Sequence, residues 1–248
     1  MKLFESINGY LLNFEACAIS MFFLILIFLP MEKVFPANPT QKFFRKGWFT
    51  DIFFFIGQYV LWGGIVTSLL LYFRDDINEW LPLSLKNKIT MQPFWLQIIE
   101  VVVFSDLLIY WAHRFQHINA FLWRFHKVHH SAPHLDWLAA HREHPIDSIY
   151  TIGLINLPAF LIVFPLNTII GLIAFRGIWA IYIHSNVRFS FGPIRKLIGA
   201  PELHHWHHDL NRNAGNYSNI SPRMDIIFGT YVCPDHEPEK VGIKEEFP

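Results

Sequence analysis

Five apolar stretches constrain this chain more than any other feature. They cover residues 10–29, 49–73, 94–111, 149–165 and 167–183. Each is close to the ~20 residues a helix needs to cross a hydrocarbon core about 30 Å thick. Only 16 % of the 248 residues are charged, where a soluble domain carries about a quarter. Five such runs leave little chain to build a soluble core. The expected fold is therefore all-α: a multi-pass membrane bundle of four to five spans, with the histidine-rich remainder forming a cytosolic helical cap. The first run is broken only by Asn13, Glu15 and Ser20, and Pro30 is expected to end it. No cleavable signal peptide is expected, because no small-x-small site precedes Pro30.

Lys and Arg in the short loops set the expected orientation. The first connection carries Lys33, Lys42, Arg45 and Lys46. The second sets Arg74, Lys86 and Lys88 against Asp75, Asp76 and Glu79. With the first connection inside, the third run points inward, and the fourth and fifth form a hairpin out and back. Every histidine cluster then falls on the cytosolic face of a bacterial inner membrane or the endoplasmic reticulum. Lys plus Arg equals Asp plus Glu at 20 each, so no global basic charge calls for nucleic acid.

His-x-x-His-His occurs twice, as His126, His129, His130 and as His204, His207, His208, and His113 and His117 precede the first copy at i, i+4. Positions i, i+3 and i+4 share one face of a helix, so each copy is expected to aim three imidazoles at one point. Neutral imidazole is the commonest protein metal ligand. Eight or more nitrogens exceed the four to six that one ion takes, so two metals are the economical reading. Imidazole suits zinc, copper, iron and nickel alike, and spacing does not name the metal. Spacing alone leaves His144, before Pro145, and His184, at the inner end of the fifth run, open as ligands. His134 and His141 read as loop or supporting residues, His205 lies off the ligand face, and His236 sits in the polar tail. Asp106, two turns before His113, is expected to accept a hydrogen bond from a ligating imidazole. Cys17 and Cys233 are too far apart in type and place for a thiolate site. Carboxylate-bridged Glu-x-x-His pairs are not found on the inward-facing segments, and His-Glu-x-x-His is absent.

These residues resemble the fatty acid hydroxylase/sterol desaturase superfamily of membrane non-haem di-iron enzymes. The likeness runs through Asp106 to His117, Leu122 to Ser131, His144-Pro145, His184, His204 to His208, Asn216-Tyr217 and Asp225 to Tyr231, about 94 to 232 in all. It implies His144 and His184 as further ligands, for ten: His113, His117, His126, His129, His130, His144, His184, His204, His207 and His208. It places Asp106, His141, Asn216 and Asp225 behind them. Where some relatives have another histidine four residues past His184, this chain has Arg188. The domains implied are an N-terminal membrane region at 1–93, a catalytic region at 94–232 and a polar tail at 233–248.

The resemblance implies two iron ions, O2 as co-substrate and a membrane lipid as substrate, with hydroxylation expected and desaturation the alternative. Two electrons per turnover must come from an external donor such as a ferredoxin or a cytochrome b5-type protein with its reductase. The chain shows no dinucleotide fingerprint or cysteine cluster of its own. Arg114, Arg124, Lys127, Arg142, Arg195 and Lys196 are candidates to dock that donor. A membrane haem-binding electron carrier or a non-catalytic metal-binding protein is the alternative of another class. A carrier would place paired histidines at matching depths in different spans, whereas here they cluster at helix ends.

Overall fold

The computed structural model describes residues 2–73, 76, 79–161, 164, 166–189 and 192–244. Arg74 and Asp75 of the second connection, the end of the fourth run at 162, 163 and 165, and tail residues 245–248 lie outside the described residues. Among the described residues the chain is helical, with no strand beyond two isolated bridges, Pro36 to Val187 and Asp209 to Val241.

Helix α1 (Lys2–Val34) runs through Pro30 rather than stopping there. Proline removes one backbone donor and crowds the carbonyl four residues back, which an otherwise continuous apolar helix can absorb. The second run forms α2 (Trp48–Gly57), a π turn (Gln58–Trp62) and α3 (Gly63–Tyr72). A short α4 (Leu83–Thr90) leads to α5 (Phe94–Ile118), which carries His113 and His117 in its last two turns. Asn119 then caps α6 (Ala120–His130), its side chain accepting from the backbone N–H groups of Phe121 and Leu122. The remaining helices are α7 (Pro145–Leu161), α8 (Leu166–His184), α9 (Pro201–His207) and α10 (Arg223–Ile227).

Among the described residues two helical segments are long and apolar enough to cross a bilayer, Asn13–Val34 and Phe94–Ile118. The fourth and fifth runs form shorter apolar helices, Pro145–Leu161 and Thr168–His184. At 1.5 Å per residue the 17 residues of α7 reach only about 26 Å. Large apolar side chains such as Phe22, Phe23 and Leu26 remain exposed along α1, as lipid-facing residues would.

One core joins α1 to the histidine-bearing part of the chain. Cys17, Leu24 and Phe28 pack with Phe55 of α2, Trp137 and Leu138 of a loop, and Ile181 of α8. The Glu32 carboxylate at the end of α1 accepts the backbone N–H groups of Trp137 (2.8 Å) and Asn186 (3.0 Å). Beside it lies a buried network of two arginines and two aspartates. Arg45 pairs with Asp136 and, at 2.7 Å, with Asp51, which also takes Arg142 at 2.5 Å. Two arginines and two aspartates offset one another there, where an unpaired buried charge would cost several kcal/mol. Gly47 sits against this network at φ +86°, where a Cβ would stand 2.5 Å from Arg142 Nη2. The N-terminal segment thereby fixes the loop that carries Arg142. That burial removes Arg142 from the expected docking surface, because its guanidinium is committed to Asp51, Ser131 and Gly47.

Candidate metal centre

Nine histidines, from α5, α6, α8, α9 and, for His208, the residue that caps α9, converge on two adjoining points. His113, His117, His126, His130 and His207 form one group, and His129, His184, His204 and His208 the other; within each, one ring nitrogen per residue lies within 4.8 Å of all the rest. The expectation that each His-x-x-His-His copy serves one point is corrected here. His126 and His130 go to the first group and His129 to the second, whereas His204 and His208 go to the second and His207 to the first. The cause is helical geometry: residues i and i+4 differ by about 40° around the axis, but i+3 and i+4 by ~100°. Each copy therefore straddles two sites, two ligands to one and one to the other, and the copies exchange roles. The groups share a wall, with His130 stacked on His208 at 4.3 Å between ring centres.

The hydrogen bonds behind the rings fix which nitrogen is free. A carbonyl only accepts, so a ring nitrogen bonded to one must carry the proton. Nδ1 donates to a backbone carbonyl in His113 (Tyr217, 2.9 Å), His117 (Arg212), His129 (Arg142, 3.2 Å), His184 (Ala180, 2.6 Å) and His207 (Gly215, 2.7 Å). In His126 it faces the Asp147 carboxylate at 2.9 Å. In these rings Nε2 is then a bare lone pair. Yet His113 and His126 present Nε2 to each other at 3.0 Å, as do His129 and His184. His184 and His204 do so at 2.9 Å, and His204 and His208 at 3.1 Å. The buried Nε2 atoms of His117, His130 and His207 have no protein partner.

Protonation is a poor remedy for these facing lone pairs. Burial holds the imidazoles of His126, His130, His204, His207 and His208 well below the ordinary histidine range and His129 down at about 4. A cation between the rings resolves the conflict. At a metal–nitrogen distance of ~2.1 Å, two ligands at right angles stand about 3.0 Å apart. The donor set is all neutral nitrogen, and it fits two imidazole-loving divalent ions.

The expected ligand His144 joins neither group. It precedes Pro145, its Nδ1 accepts the backbone N–H of Ile146 at the start of α7, and its ring packs on Phe125. Asp106 corrects a second expectation. It accepts from the backbone N–H groups of Ile220 and Ser221 rather than from an imidazole, and so pins the loop after Tyr217 to α5. The carboxylate that does meet a grouped histidine is Asp147, which also takes the Gln116 amide at 2.5 Å. No sequence signal marked it, since an acid in the first turn of a helix is commonplace.

The other supporting residues act through the backbone. Asp225, whose carboxyl burial pushes above the ordinary carboxylate range, accepts the N–H groups of Tyr217 (2.8 Å) and Ser218 (2.9 Å) and so holds the carbonyl that orients His113. Asn216, at φ +54°, ties the carbonyls of Leu203 and Val232 together and accepts the Val232 N–H. His141 bonds Gln58 of the π turn at 2.7 Å, and burial lowers its imidazole to about 4. His205 points away from both groups to Glu237 (2.7 Å) and the Ser185 carbonyl (3.0 Å). His134 lies in a loop outside both groups, and His236 is exposed.

Comparison with known proteins agrees with this geometry. The family model described as fatty acid hydroxylase matches residues 98–230, more than half of the chain. An ornithine lipid hydroxylase of Rhizobium tropici is 32 % identical over 57 % of this chain and 44 % of its own length. A Delta(7)-sterol 5(6)-desaturase of Leptosphaeria maculans is 32 % identical over 60 % of this chain and 41 % of its own. The alkylglycerol monooxygenase of Homo sapiens is 31 % identical over 55 % of this chain and 30 % of its own. The chain thus spans less than half the length of each of these three curated relatives. No solved structure matches. All nine grouped histidines fall inside the matched segment, and the chain belongs to the fatty acid hydroxylase/sterol desaturase superfamily.

Proposed function

We propose that this protein is a membrane-bound di-iron oxidoreductase that uses O2 to hydroxylate a lipid C–H bond. The single observation that carries the reading is the pair of interlocked histidine groups with their Nε2 lone pairs turned inward. His113, His117, His126, His130 and His207 would hold one ion, and His129, His184, His204 and His208 the other. Two ferrous ions held by these residues would supply O2 reduction and the power to remove hydrogen from an unactivated C–H bond, which no side chain can do. The chain's own part is to set ring orientation through the carbonyls of Tyr217, Arg212, Arg142, Ala180 and Gly215, and to exclude water by burial. Among the described residues, Asp147 adds the carboxylate in hydrogen-bond contact with a grouped ring, which raises the donor strength of His126.

His113 and His117 lie at the end of α5 and His184 at the end of α8, which supports a site at the membrane face where a lipid enters without crossing water. The loop charges support the cytosolic face. Two electrons per turnover would come from an external donor such as a ferredoxin or cytochrome b5-type protein. Arg114, Arg124, Lys127, Arg195 and Lys196 are the remaining candidates to dock it. A desaturase is the second reading, favoured by a sterol desaturase relative as similar as the hydroxylase one.

Iron analysis with Mössbauer spectroscopy tests the centre: a coupled pair is expected, and one ion or none in reconstituted protein refutes it. His129→Ala should lose iron and activity whereas His236→Ala keeps both. Lipids extracted with and without expression should differ by one oxygen; a loss of two hydrogens would instead assign the desaturase.

A further inference from the structure

A line of oxidisable side chains leads away from the first histidine group. The Tyr217 ring, 3 % exposed, lies 5.2 Å from His117, 5.6 Å from His207 and 5.8 Å from His113 between ring centres. Tyr110, fully buried, follows at 6.2 Å. Trp111 comes next at 5.4 Å and is 47 % exposed. Holding metal uses none of the three rings.

The hydrogen bonds of Tyr110 have a fixed direction. Arginine can only donate, so Arg114 Nη1 gives its proton to the Tyr110 oxygen at 3.0 Å. The Thr230 hydroxyl donates to Asp225 at 2.7 Å. Its oxygen is therefore left to accept the Tyr110 proton, at 3.0 Å. A buried phenol thus points its proton down a two-bond path to a carboxylate. Losing an electron without that proton would leave a buried cation beside the Arg114 guanidinium, which low dielectric makes costly.

We propose that Tyr110 is a redox-active residue: it passes one electron through Tyr217 to the oxidised metal centre when no lipid is in place, and releases its proton along Thr230 to Asp225. The inference rests on the O2-using centre proposed above. In the step, the centre gains one electron and Tyr110 loses one electron and one proton, becoming a neutral phenoxyl radical. Thr230 takes that proton and gives its own to Asp225, which becomes the neutral acid. An external one-electron reductant then refills the site through Trp111, and the proton returns from Asp225. The route spares the nine imidazoles from oxidation during O2 reduction without substrate.

The test exposes iron-loaded, dithionite-reduced protein in detergent, free of lipid substrate, to O2 and freeze-quenches it for electron paramagnetic resonance. A tyrosyl signal near g ~2.00, narrowed by ring-deuterated tyrosine, is expected in the wild type. It should fall at least about tenfold in Tyr110→Phe and in Thr230→Val, with iron content retained, and persist longer in Trp111→Phe. O2 uptake without a radical overturns the inference, as does a full signal in Tyr110→Phe. If Tyr110→Phe loses iron, an undiminished signal in Thr230→Val overturns it instead. No O2 uptake by iron-loaded wild type refutes the proposed function itself, and the relay with it.

Discussion

Replacing Asp147 with Asn isolates the carboxylate that the structure puts behind the metal centre. The two oxygens of Asp147 serve two buried donors, His126 Nδ1 at 2.9 Å and Gln116 Nε2 at 2.5 Å. An asparagine of the same shape has one acceptor oxygen and one N–H2. Whichever way it turns, one donor faces another donor at a buried position. Leaving one buried polar group unpaired costs about 1–3 kcal/mol, which at ~1.4 kcal/mol per tenfold is roughly 5- to 150-fold in a binding constant. Loss of a hydrogen-bond partner behind a metal ligand typically costs about 10–100-fold in metal affinity. The two estimates overlap, and Asp147→Asn should weaken iron binding ~10–100-fold in competition with a chelator. Asp106→Asn is the matched control. Asp106 is similarly buried but accepts its hydrogen bonds from the backbone of Ile220 and Ser221 and from no imidazole among the described residues. It should lower the unfolding temperature while changing iron affinity by less than about threefold. Equal losses of affinity in the two variants, or none in Asp147→Asn, would refute the reasoning.

Three further outcomes follow from the same geometry. His204→Ala should lose metal, whereas its neighbour His205→Ala should keep it and only loosen the tail held by Glu237, as read by iron content and limited proteolysis. Gly215→Ala should destabilise the fold by more than ~2 kcal/mol and lower iron occupancy. Gly215 has φ +94°, a Cβ there would lie 2.3 Å from the Thr230 carbonyl oxygen, and the Gly215 carbonyl orients His207. The metal-free protein should lose stability as pH falls through about 6.5. Burial depresses the folded pKa of His126, His129, His130, His204, His207 and His208, so the unfolded chain takes up more protons below that pH. A urea midpoint that stays flat from pH 7.5 to 5.5 would contradict it.

Local features of the chain sufficed for most of the helices, the histidine motifs and the family resemblance. Apolar length, the Asn119 cap and the i, i+4 spacings are local properties, and local properties survive without a fold. Eight of the nine grouped histidines stood in repeated spacings, and His184 came through the resemblance. Spacing also misled at one point, because sharing a helix face is a looser condition than sharing a metal. Only the tertiary meeting of rings, His129 with His184 and His130 with His207, decided that each triplet divides between two sites. Tertiary structure likewise chose Asp147 over Asp106 as the carboxylate behind a ligand. Asp106 sits on the same helix as His113, but its side chain is taken by the backbone of residues 220 and 221, more than a hundred positions away. Arg142 read as a surface cation until Asp51, 91 residues earlier, buried it. Partners that far apart in the chain leave no periodicity behind, so residue type and spacing could propose the ligands but not their supports.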